Sequence, residues 1–134
     1  MPSRTKIPDA EVEKIPIKEC NENPVRIKEV CPDIIIHKPH ATPEAKEESR
    51  YLRKTVAEKL SNILENLRDI DPDYNVMITQ AFRSLNTQTQ LYNHVYERFR
   101  EQNPFLSEEE VKATTDNFVA PPDQTPPHTT GAAV

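Results

Sequence analysis

The spacing of apolar residues changes near residue 43 and divides the chain into a proline-punctuated stretch and a helical one. Before that point the apolar positions come in short bursts, Ile15/Ile17, Val25/Ile27 and Ile34-Ile35-Ile36, between prolines at 2, 8, 16, 24, 32, 39 and 43. Each proline removes a backbone donor and biases its predecessor against helix. The stretch therefore predicts extended or edge-strand chain lying on a core, with no long helix. We read residues 1–43 as a Pro-rich arm wrapping the outside of a domain over 44–134. Thr42-Pro43 is a helix start, a hydroxyl cap followed by Pro at the first helical position. Leu52, Val56, Leu60, Ile63, Leu64 and Leu67 then recur on one stripe and predict a helix over 44–68.

Beyond Asp71-Pro72-Asp73 the pattern alternates. Tyr74 to Thr79 is rich in β-branched residues and predicts a short strand over 74–79. Leu91, Tyr92, Val95, Tyr96 and Phe99 predict a second helix over 87–101, which Pro104 stops. Ser107 to Glu110 has the form of a capping box and opens a third helix over 108–118, with Val111 and Phe118 inward. Ala120 to Pro127 must be extended, and His128 to Val134 is a small-residue run that reads as a strand partnering 74–79. The fold class expected is α+β, helices packed on a small antiparallel sheet. That sheet is expected to be incomplete at the C-terminus, because the last run reads as a core strand interrupted after its first residues.

Composition narrows the function. The 134 residues fit one domain. Twenty-two acids against seventeen bases, net charge −5, argue against a nucleic-acid partner, which needs a basic footprint. No run approaches the roughly 20 apolar residues of a membrane span, so no membrane partner is expected. The first residues carry positive charge without an apolar run, unlike a secretory signal, and a cytoplasmic location is the default expectation. Cys20, Cys31, His37 and His40 give C-x10-C-x5-H-x2-H, without the close pairs that clamp a structural metal. They read as reduced thiols and surface imidazoles. Oligomeric state is left open.

Three groups are candidates for chemistry. The carboxylates Glu108, Glu109 and Glu110 sit in a first helical turn, where they complement the dipole and cap free donors, and no catalysis is assigned to them. His128 follows two prolines and precedes Gly131, the only glycine of the chain, whose position marks a backbone need. A rigid loop entering a small-residue run is a seat for a metal-binding imidazole, although chemistry alone serves a structural role as well. Arg83 follows the predicted strand at 74–79. It reads either as a surface ion pair or as a donor to a developing negative charge.

Taken together, YNVMITQAFRS (74–84), LYNHVYERFR (91–100), LSEEE (106–110), NFVAPP (117–122) and PPHTTGAAV (126–134) resemble the zinc D-alanyl-D-alanine dipeptidases of VanX type. IPIKECNENPV (15–25) also resembles the opening of bacterial members. The most specific parts are A-F-R and H-x-x-G-x-A-V, in the family's order. The resemblance implies one Zn2+ per complete enzyme, hydrolysis of the D-Ala-D-Ala dipeptide in peptidoglycan metabolism, and a small dipeptide as substrate. It places His128 on the first zinc ligand and makes Arg83 the transition-state stabiliser. It also implies a zinc-bound water deprotonated by a Glu. The second ligand, an Asp, would fall immediately after Val134, and the Glu and last His further on. The chain is therefore expected to be a truncated part of such an enzyme, inactive alone and a weak zinc binder. Pro126 stands where the family often has a Ser. Alternatives are a zinc D-alanyl-D-alanine carboxypeptidase, which shares the ligand pattern, or a non-enzymatic helical interaction protein using Ala120–Pro127 as an extended ligand.

Overall fold

Part of the proline-punctuated stretch is core: Ile27, Cys31 and Ile34 are three of the eight residues of the main buried cluster. The structure, a computed structural model, describes residues 9–16 and 18–134, so Ile17 and the prolines at 2 and 8 lie outside the described residues. Along this stretch run α1 (Asp9–Val12), β1 (Pro24–Arg26), α2 (Ile27–Val30) and β2 (Ile35–Ile36). Pro24 is the first residue of its strand, where a missing donor is tolerated. Ile27 and Ile34 are completely buried and Cys31 nearly so. They form one cluster with Leu52, Leu60, Leu64, Ile78 and Ala81. A small domain has little apolar surface to spare, and burying these isoleucines outweighs leaving the arm outside.

The helix predicted over 44–68 is split. α3 (Pro43–Glu48) opens as expected, with Thr42 Oγ1 accepting from Ala45 N at 3.2 Å. β3 (Tyr51–Arg53) intervenes before α4 (Lys54–Ile70). Leu52, on the predicted helical stripe, is instead a fully buried strand residue opposite Val25 in the antiparallel β1–β3 pair. A single inward apolar position fits either period, and the ladder offered by β1 decides between them. α4 keeps the predicted inward face at Leu60 and Leu64 and adds Ala57.

β4 (Met77–Ile78) is shorter than the strand predicted over 74–79 and pairs parallel with β2, not with the C-terminal run. α5 (Leu85–Gln102) starts two residues before the predicted 87, where the Ser84 side chain accepts from Thr87 N. α6 (Glu108–Phe118) has the expected bounds and both bonds of the capping box. Val111 is buried as predicted, but Phe118 is 73% exposed and packs on Phe99 with the rings tilted at 58° and their centroids 5.1 Å apart. With helices around a small antiparallel sheet the fold is α+β. No described helix is long and apolar enough to cross a membrane.

The strand expected at the C-terminus is a 3-10 turn over Pro127–Thr130. Thr129 Oγ1 and Thr130 Oγ1 donate back to the carbonyls of Pro126 and Pro127, each at 2.7 Å. Such local bonds compete with a ladder. Gly131 ends the turn at φ +71°, and its carbonyl accepts from Arg53 N at 2.8 Å. A Cβ there would stand 3.4 Å from Arg53 Cγ. Gly131→Ala is expected to cost about 1–2 kcal/mol for the left-handed backbone. The urea midpoint should fall at unchanged m-value; an unchanged midpoint would show that the glycine is incidental.

Candidate active site

Arg83 lies in the irregular segment between β4 and α5, and that segment is held from two sides. Phe82 N donates to Tyr51 O of β3 at 3.2 Å, and Arg83 N donates to His128 O at 3.1 Å. The backbone thus fastens the two residues singled out by sequence directly to each other. Their side chains line one cavity of about 300 Å³, with Gln80, Gln88, Leu91 and Phe118 on its walls. His128 is half-buried, and its Nδ1 lies 3.0 Å from Ala81 O. That contact engages Nδ1 and orients the ring, so Nε2 is the nitrogen left for a ligand, an arrangement common for ligating imidazoles.

Arg83 is not the surface ion pair that its sequence context allowed. It is 9% exposed, and among the described residues no carboxylate stands within ion-pair distance of its guanidinium. Its Nη1 donates to Gln88 Oε1 at 2.7 Å, and its Nη2 donates to Gln80 Oε1. Burial pushes the guanidinium below its ordinary value, and the Glu48 carboxylate opposes the shift. That carboxylate is engaged elsewhere, accepting from Ser84 N at 3.0 Å and Thr87 Oγ1 at 3.1 Å. A buried cation held by neutral amides is costly in a resting protein and effective toward an incoming negative charge.

Gln80 and Gln88 escaped sequence reasoning. Gln88 is fully buried, and its Nε2 donates to Ala120 O at 2.7 Å, tying α5 to the segment after α6. A signal existed: 88, 92, 95 and 99 share one helical stripe, and a glutamine stands among its apolar residues. The other candidates are not brought in. His37, His40 and His94 are exposed and outside this cavity, and Glu108 to Glu110 serve the α6 terminus. Cys31 is a core thiol, and Cys20 is exposed beside Arg53.

Catalytic zinc takes three protein ligands, and the described residues bring no group of three His, Cys, Asp or Glu together. His128 by itself does not make that site.

A family model described as VanY, D-alanyl-D-alanine carboxypeptidase, matches residues 49–134. No curated protein and no solved structure matches the chain significantly. The matched region begins two residues before β3, runs through the C-terminal turn and includes both Arg83 and His128. It covers well over half of the sequence and lies in the same superfamily as the VanX-type dipeptidases. The chain belongs to the D-alanyl-D-alanine carboxypeptidase family, peptidases of cell-wall metabolism.

Proposed function

We propose that this chain carries substrate-binding residues of a zinc-dependent peptidase that cleaves the D-alanyl-D-alanine linkage at the end of a longer peptide. The observation that carries the reading is a buried guanidinium, unpaired with any described carboxylate, in the same cavity as the His128 imidazole. Arg83 offers five donors in a fixed fork, two of which point to glutamines. Those amides orient the guanidinium before substrate arrives, so it meets a carbonyl oxygen gaining negative charge without reorganising. Gln88 transmits the position of Ala120 to that fork. His128 presents an imidazole, fixed by Ala81 O, on the cavity wall. The zinc dependence implied by the resemblance needs ligands beyond those gathered here, and His128 is the one these residues offer.

Carboxypeptidase rather than dipeptidase action is favoured by the charge around the cavity. A free dipeptide carries an ammonium next to the bond to be cut. Arg83, with Lys38 sharing the Gln80 oxygen, sets two cations near that position. Like charges repel there, whereas an acylated nitrogen is indifferent. Isothermal titration of the 134-residue chain with N-acetyl-D-Ala-D-Ala and with free D-Ala-D-Ala is expected to give tighter binding of the acetylated form. Tighter binding of the free dipeptide would restore the dipeptidase reading.

A further inference from the structure

A larger cavity of about 840 Å³ adjoins the candidate active site at Arg83. The two cavities share Gln80, Arg83 and Leu91 on their walls, so they adjoin at these residues. The walls of the larger one include Lys38 and three exposed imidazoles, His37, His40 and His94, and among the described residues they hold no carboxylate. In a protein of net charge −5 this is a local reversal of sign.

One oxygen organises the floor. Gln80 Oε1 accepts from Lys38 Nζ at 3.1 Å and also from Arg83 Nη2. A single neutral acceptor therefore draws two cations together, one half-buried and one nine-tenths buried. Neither belongs to an ion pair among the described residues, where the bases that pair lie at the surface with Glu11, Asp33, Glu47, Glu58, Glu97 or Asp116. Burial pushes the Lys38 ammonium below its ordinary range, the Arg83 charge pushes it further, and Glu48 opposes both. Two cations gathered on one oxygen repel, and an anion placed between them reverses the sign of that interaction. A carboxylate suits both donors, since it accepts several N–H bonds at once.

We infer that Lys38 and Arg83, bridged by Gln80, form a carboxylate-binding subsite for an acidic residue on the N-terminal side of the peptide being cleaved. The inference rests on the peptidase reading above, since it takes one peptide to occupy both adjoining cavities. It assigns Lys38 a specificity role: peptides with an acid before the D-Ala-D-Ala pair are preferred over neutral ones.

The test is isothermal titration of the 134-residue chain with two peptides, N-acetyl-Glu-Glu-D-Ala-D-Ala and N-acetyl-Gln-Gln-D-Ala-D-Ala, and with N-acetyl-Glu-Glu-amide. The Glu peptide is expected to bind about tenfold tighter than the Gln peptide, the size of one charge-assisted bond. Lys38→Met should remove most of that preference, and an unchanged thermal denaturation midpoint on the same preparation reports intact folding. Equal affinity for the Glu and Gln peptides on the unmodified chain would overturn the subsite and leave the peptidase reading standing. If the amide lacking D-Ala-D-Ala binds as tightly as the full Glu peptide, in a Lys38-dependent way, the anion site stands and the peptidase reading fails. Absence of binding by all three overturns both.

Discussion

Replacing Arg83 by methionine is expected to weaken binding of N-acetyl-D-Ala-D-Ala to this chain by about 10- to 100-fold, the worth of charged hydrogen bonds to a carboxylate or carbonyl. In any longer form of the protein that supplies further metal ligands, the same change should lower kcat/KM by about 10²- to 10³-fold, as loss of an oxyanion donor does. Thermal stability should barely move. Removing a buried charge that no described carboxylate neutralises relieves a desolvation cost. That relief offsets the loss of two bonds to Gln80 and Gln88. Methionine keeps the apolar stem and roughly the volume. Ligand titration and thermal denaturation on the same preparation separate the two effects. Normal binding with a sharply lowered Tm would make Arg83 a structural residue and remove it from the site.

The second large effect concerns folding. Leu52→Ala is expected to destabilise the protein by about 2–5 kcal/mol, the range for emptying a fully buried leucine site. Ile63→Ala, on the helical stripe that the sequence predicted to include Leu52, should cost far less because Ile63 is 48% exposed. Chemical denaturation of both variants measures the contrast, and comparable losses would mean that residues 49–53 are helical after all. The Leu52 site also reaches the cavity. Its neighbours on β3 supply Tyr51 O to Phe82 N and Arg53 N to Gly131 O. Loosening β3 thus loosens both segments that carry Arg83 and His128. Peptide affinity should fall in Leu52→Ala even under conditions where it remains folded.

The elements best read from sequence are those whose signals are local. α6 begins at a reciprocal cap between Ser107 and Glu110, two side chains three residues apart. α5 follows from a stripe of five apolar residues, and only its first turn was misplaced, because Ser84 and not a later residue caps it. Arg83 and His128 were legible as candidates, one from its place after a strand and one from the prolines and the lone glycine around it. That they share one cleft followed from the expected pairing of 74–79 with the C-terminal run, but the way they meet was not legible. It depends on a backbone bond from Arg83 N to His128 O that links the β4–α5 segment to the C-terminal turn.

What sequence alone determined about this protein is its class, its two long C-terminal helices, its caps and the residue types available for chemistry. These follow from periods, hydroxyl caps and prolines that act within a few residues. Tertiary structure alone decided that Leu52 is a strand residue, that β4 lies parallel to β2, that the last residues turn instead of extending, and that Gln80 and Gln88 grip Arg83. In each case two local conformations were close in energy. The choice fell to a partner distant in sequence: Val25 for Leu52, Ile36 for Ile78, Arg53 for Gly131.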